Sequence, residues 1–152
     1  MSRSLGHELT EKHDRSIISL VEIDHLTIPV RDYATSKRFY ERALRPLGLV
    51  IRLDWPDRRR AFLGNDAAPS SLWLAESQAA GTLELSLAAA DSDAVDAFHA
   101  AALDAGARTE HEPGIRPEYS RDYYAARVLD PDGNSIEAVY RGVVAARRSL
   151  AA

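Results

Sequence analysis

The chain has 152 residues, 45% of them hydrophobic and 28% charged, with a formal net charge of −4 and no cysteine. These values suit one soluble globular domain, long enough to bury roughly 70% of its unfolded surface without a disulfide or a structural metal. The negative charge argues against nucleic acid and acidic membrane surfaces as partners. No apolar run reaches the roughly 20 residues of a membrane span. Thiol chemistry is excluded outright.

Residues 1–20 are polar and mixed in charge until Ile17-Ile18-Ser19-Leu20, and read as an N-terminal extension. They lack the apolar core of a signal peptide, so a cytoplasmic protein is expected. From Val21 to Val30 apolar and polar residues alternate. Leu26, Ile28 and Val30 share one face; Ile23, His25, Thr27 and Pro29 share the other. Asp32 stands where a helix N-cap belongs, ahead of a helix from Tyr33 to Leu47 with an apolar stripe of Phe39, Ala43, Leu44 and Leu47; Gly48 ends it. Three short strands follow, Leu49–Leu53, Arg60–Leu63 and Ser71–Ala75. Arg58-Arg59-Arg60 reads as a solvated hairpin, with anion binding as the second reading.

The chain then repeats itself. At an offset of 59 residues Asp32 falls on Asp91, Phe39 on Phe98, Ala43 on Ala102 and Leu44 on Leu103, while His25 falls on Glu84. Internal self-similarity of this kind marks tandem structural units. The second unit opens with a strand over Thr82–Ala88, in which Leu83, Leu85 and Leu87 oppose Glu84 and Ser86. A helix capped by Asp91 or Ser92 runs to Ala105. A strand over Ala107–Glu112, a long connection through residue 122, and strands Tyr123–Leu129 and Ser135–Tyr140 complete it. Asp130-Pro131-Asp132-Gly133-Asn134 supplies the hairpin turn between the last two. The order βαβββ, βαβββ predicts an α+β fold of two tandem modules, mostly antiparallel, with helices on the outside.

Polar residues on the strand faces away from the helices predict a lined cavity. Aligning Ser70–Ala75 with Asn134–Val139, an offset of 64, sets Glu137 opposite Trp73 and leaves the second module five residues longer. If the modules pair about a pseudo-twofold axis, His25, Trp73, Glu84 and Glu137 converge. The excess length falls in the 110–122 connection, where Arg116, Tyr119, Tyr123 and Tyr124 offer a cation and aromatic hydroxyls to a ligand. A simpler reading makes Tyr123 and Tyr124 the start of a strand, one packed and one exposed. Glu110-His111-Glu112 reads as surface, and His7, His13 and His99 as exposed.

The stretches IDHLTIPVRDYATSKRFYERALRPLG and YYAARVLDPDGNSIEAV resemble the vicinal oxygen chelate superfamily, which groups glyoxalases, bleomycin-resistance proteins and ring-cleaving dioxygenases. The resemblance spans residues 21–141 in modules 21–76 and 81–141, leaving 142–152 as a tail. It implies a cup-shaped sheet, a homodimer, and a divalent ion (Fe, Mn, Zn or Ni) held by the first and last strands of each module. Those positions here are His25, Trp73, Glu84 and Glu137. Tryptophan cannot ligate a metal, so His25, Glu84 and Glu137 remain, a chemically sensible donor trio.

Two functions stay open at this point. In one, a metal-dependent lyase, isomerase or dioxygenase acts on a small molecule with vicinal oxygens; the ion is the Lewis acid and Glu137 is a ligand or general base. Trp73, Arg116, Tyr119, Tyr123 and Tyr124 would line the substrate pocket. In the other, a metal-free protein of the bleomycin-resistance type sequesters a drug or metabolite.

Overall fold

A computed structural model of the protein describes residues 23–65, 71–78 and 81–142. The expectations for residues 1–20, for His7 and His13, and for most of the tail lie outside these residues.

Each module is a four-stranded sheet with one helix. Strands β1 (His25–Val30), β2 (Val50–Trp55), β3 (Arg60–Gly64) and β4 (Ser71–Glu76) form the first, in the order β1-β4-β3-β2. Strands β5 (Glu84–Ala88), β6 (Arg108–Ile115), β7 (Tyr123–Leu129) and β8 (Ser135–Arg141) form the second, in the order β5-β8-β7-β6. First and last strands of each module pair parallel and the remaining pairs are antiparallel. The parallel pairing follows from the helical crossover after each first strand.

Helix α1 (Tyr33–Ala43) starts at Asp32, whose carboxylate accepts from the Thr35 N–H at 2.7 Å. Helix α2 (Ser92–Asp104) starts in the same way at Asp91, which accepts from Ala94 at 2.7 Å. Both caps satisfy backbone donors that the first helical turn leaves unpaired. The α-helical part of the first helix stops short of Leu47, because Pro46 has no N–H to continue the ladder. The chain tightens there into a 3-10 turn, Arg45–Leu47, and Gly48 closes it in the left-handed region at φ 78°.

Alternation along the strands sends Ile28, Val30, Leu63, Leu72 and Leu74 of one sheet, and Ala126, Val128, Ile136 and Ala138 of the other, into the core with Phe39, Tyr40, Val95 and Phe98 from the helices. Helix α1 packs on α2, so one core serves both modules. Polar bridges reinforce the junction. Ser36 donates to Asp132 at 3.0 Å, Tyr40 to Asp130 at 2.6 Å, and Arg42 pairs with Asp104. A cavity of about 360 Å3 lies where β1 approaches β5, lined by Leu26, Leu49, Leu72, Leu85 and Leu87 among others.

Two expectations are corrected. The 110–122 connection is strand as far as Ile115, because the edge strand β6 absorbs Pro113 and Gly114 through register shifts; the loop proper is 116–122. His99 is buried, not exposed. It shares a helix face with Val95 and Ala102, and its Nε2 lies 3.0 Å from the Thr109 hydroxyl on β6. No described helix is long and apolar enough to cross a membrane.

Candidate functional site

The face of each sheet turned away from its helix carries the chemistry. Register fixes who stands beside whom. In the second sheet Ser86, Glu137 and Arg127 form one row across β5, β8 and β7. In the first sheet the equivalent row is Thr27, Trp73, Phe62 and Leu53 across β1, β4, β3 and β2. The expected correspondence between Trp73 and Glu137 is thus present in the strand pairing. The two rows differ completely in character.

The second row is polar and closed upon itself. The Arg127 Nη2 lies 2.8 Å from Glu84 and 3.2 Å from Glu137, so one guanidinium bridges both carboxylates. Glu137 is only 3% exposed. Its second oxygen accepts from the Ser86 hydroxyl at 2.6 Å and the Tyr123 phenol at 2.8 Å. Glu137 thereby exchanges its water shell for three donors, the condition under which a carboxylate is buried at tolerable cost. Burial works against the charge on Arg127. The carboxylates of Glu137 and Glu84 outweigh it and hold the guanidinium pKa above the usual arginine value. The Nε of Arg127 is buried without a hydrogen-bond partner, so this side chain is held by its Nη contacts alone. Burial, and then the hydrogen bond to Glu137, raises the Tyr123 phenol. Tyr119 and Arg141 flank Tyr123, with the Tyr119 ring centroid 4.9 Å away and the guanidinium 4.7 Å from the Tyr123 ring.

The first row is aromatic. Trp73 sits between Trp55, at 5.3 Å between centroids, and Phe62, at 5.0 Å. Arg58 lies over the Trp55 ring and Arg60 over the Trp73 ring, at 5.4 and 5.5 Å.

The four residues expected to meet fall into three places. Glu84 and Glu137 come together through Arg127. Trp73 joins the aromatic row, and His25 is exposed at the start of β1, its Nδ1 2.8 Å from the neighbouring Asp24 carboxylate. Among the described residues, no three His, Asp or Glu side chains gather to hold a metal ion. His25 and Trp73 belong to the first sheet, Glu84 and Glu137 to the second. The donor set fits a divalent ion poorly as well. A fixed cation already stands between the carboxylates, and the place symmetric to Glu137 is an indole.

The expected ligand-binding residues also separate. Tyr123 lies beside Glu137. Tyr124, the next residue, points to the opposite side, where its phenol donates to Asp96 on α2 at 2.8 Å. Both rings are buried, so neither is the exposed one foreseen. Arg116 donates to the Glu112 carbonyl at 2.6 Å and Tyr119 is largely exposed. Sequence reasoning missed Arg127, although a single arginine inside the apolar strand YYAARVL signals a buried acidic partner. It also missed the stacking of Trp55 and Phe62 on Trp73, which needs the strand register to be seen.

The model of the Glyoxalase/Bleomycin resistance protein/Dioxygenase superfamily matches residues 22–138. No curated protein matches the chain. Among solved structures, a glyoxalase/bleomycin resistance protein from Albidiferax ferrireducens T118 is 31% identical, with 79% of this chain and 98% of that one covered and a TM-score of 0.66. An antibiotic-binding protein from Streptomyces sp. CB03234 is 24% identical over 82% of this chain and 99% of its own, at a TM-score of 0.61. A lactoylglutathione lyase from Agrobacterium tumefaciens is 20% identical over 80% and 95%, at 0.60. With paired βαβββ modules and a family match across most of its length, the chain belongs to the glyoxalase/bleomycin resistance protein/dioxygenase superfamily.

Proposed function

We propose that the chain is a metal-independent member of the superfamily that binds a small organic molecule, a drug or metabolite, on the outer faces of its sheets. The observation that carries this reading is the Arg127 guanidinium bridging Glu84 and Glu137. A divalent ion needs carboxylate lone pairs directed at it. Here an internal cation takes them, and Ser86 and Tyr123 take others on Glu137. An incoming ion would displace these donors and meet a like charge. Trp73, with its aromatic neighbours, offers a ligand-binding surface in place of a metal donor. The antibiotic-binding protein from Streptomyces shares the fold. A homodimer, in which outer faces of two copies enclose the ligand, belongs to the same proposal, as does a cytoplasmic location.

A second reading has its own observation. Glu84 and Glu137 both reach one guanidinium nitrogen, so their carboxylates are close enough to share one cation. His25 holds on β1 the place that Glu84 holds on β5. With Arg127 displaced and a second copy of the chain bringing its His25 to Glu84 and Glu137, these three would make a metal-dependent lyase, isomerase or dioxygenase using Fe, Mn, Zn or Ni.

Elemental analysis and calorimetric titration with Zn, Mn, Ni and Fe(II), on wild type and on Glu137→Ala, decide between them. The expected result is no stoichiometric ion in wild type. A stoichiometric ion in wild type that Glu137→Ala loses would sink the metal-independent reading and support the second.

A further inference from the structure

We propose that the aromatic face of the first sheet is a binding site for flat aromatic anions, such as aromatic carboxylates, with Trp55, Trp73 and Phe62 as the stacking platform and Arg58 and Arg60 as the anion-recognising groups. The inference deepens the metal-independent reading and rests on it, because the anion is held by arginines where a metal would otherwise hold substrate oxygens.

Three independent features converge here. The first is register. Trp73 and Phe62 are Cα partners, and Arg60 pairs with Trp55 one row further along, so all four side chains stand on the face turned from α1. That face also carries Leu53, and both Leu53 and Trp55 are exposed, at 44% and 38%. An apolar and aromatic surface left open on a sheet marks a place where something binds.

The second is ring geometry. The centroids of Trp55 and Phe62 each lie about one ring stack from Trp73, tilted by 34° and 53°. A stepped platform of this kind suits a planar scaffold in offset or edge contact.

The third is charge. Residues 56–60 read Pro-Asp-Arg-Arg-Arg, so the turn holds three cations and one acid. The nearby Asp54 is engaged by Lys37 and Tyr33. Arg58 and Arg60 are exposed and lie over indoles, with no carboxylate partner among the described residues. Stacking orients a guanidinium while leaving its N–H edge open to a carboxylate, which it meets with two parallel hydrogen bonds. Arg59 takes the left-handed conformation, φ 51°, and closes the turn that sets its two neighbours on their rings.

The chain holds two tryptophans, and both belong to this cluster. Intrinsic tryptophan fluorescence therefore arises within this site. The test titrates the full-length protein, in the presence of a chelator, with 1-naphthoate, its neutral isostere 1-naphthamide, and cyclohexanecarboxylate, by fluorescence and calorimetry. It repeats the series with Arg58→Ser/Arg60→Ser, two exposed positions, once circular dichroism has shown that the variant is folded. Expected is a fluorescence change that saturates with 1-naphthoate, about tenfold tighter binding than either comparison compound, and loss of that preference in the variant. Equal affinity for naphthoate and naphthamide, an unaffected variant, or binding without a tryptophan signal would overturn the proposal. So would self-association that the double variant abolishes and naphthoate leaves untouched, since a second copy would then cover the face. A protein that proves to hold stoichiometric metal, yet shows the arginine-dependent preference, keeps the ligand assignment and loses the metal-independent reading. A metal-free protein indifferent to ligand charge does the reverse.

Discussion

The phenol of Tyr40 on α1 donates to the Asp130 carboxylate in the turn between β7 and β8, 2.6 Å away, and so ties one module to the other through two buried groups. Asp130 also accepts from the backbone of Asp132 and Asn134 and from the Asn134 side chain, at 2.7 to 2.9 Å. The carboxylate therefore organises its own turn and presents it to the neighbouring helix. Tyr40→Phe removes one of four donors and leaves a buried carboxylate under-satisfied. It should cost about 1–2 kcal/mol with an unchanged denaturant slope. Asp130→Ala, which removes every bond at once, should cost more. No loss for Tyr40→Phe in urea denaturation would mean that the junction draws nothing from the phenol.

Alkaline pH should loosen the same fold. Tyr40, Tyr33, Tyr123 and Tyr124 are each raised above the ordinary phenol value of 10.0. Burial is the largest cause in all four, and the charge or hydrogen bond of a nearby carboxylate adds to it. A raised folded pKa means that the native state keeps its proton where the unfolded chain has begun to release it. Stability from these groups is complete below the unfolded phenol pKa, about 10, and drains away as pH rises toward the folded values. Phenolate absorbance should therefore develop later in native than in urea-unfolded protein, and stability should fall with pH from about 10 upward. Tyr40→Phe should shallow that fall. Native and unfolded titration curves that overlay would refute the account.

The repeat makes a prediction of its own. Asp32 and Asp91 cap their helices with the same bond, to the N–H three residues on, at the same 2.7 Å. Both are exposed, so packing differences do not intrude. Asp32→Ala and Asp91→Ala should each destabilise by about 1 kcal/mol. A cost at one cap and none at the other would show that the two helices depend on their starts to different degrees.

The sequence displayed the local rules well and the long-range partners poorly. Asp32, Asp91 and the Asp130–Asn134 turn announce themselves because their chemistry acts within a few residues. The alternation of β1 and β5 likewise sorted Leu26, Ile28 and Val30 from His25 and Thr27 without any tertiary knowledge. His99 escaped because a histidine on a helix is polar by type, while its spacing from Val95 and Ala102 placed it on the buried face; only Thr109, on another element, makes that burial tolerable. The end of β6 escaped because Pro113 and Gly114 read as loop, whereas an edge strand accepts them. Arg127 was the most consequential omission. Sequence spacing paired first strands with last strands, and the residue that joins Glu84 to Glu137 lies on β7, on the far side of β8 from β5.

Arg127 and Glu137 should accordingly behave as one unit. Glu137 is 3% exposed; Arg127→Met leaves it the Ser86 and Tyr123 donors but takes away the only cation bonded to it among the described residues. Removing one member of a buried pair leaves an uncompensated charge, and the cost should be about 3 kcal/mol. Glu137→Gln in that background removes the charge while preserving an oxygen that accepts from Ser86 and Tyr123, and should restore most of the loss. Glu84→Gln should cost well under about 1 kcal/mol, since the Glu84 side chain is 61% exposed and its pair is screened. The double-mutant cycle of Arg127→Met with Glu137→Gln, read by urea denaturation, should therefore be strongly non-additive. An additive cycle would mean that the guanidinium does not compensate Glu137. A divalent ion approaching these carboxylates would then meet no competing cation.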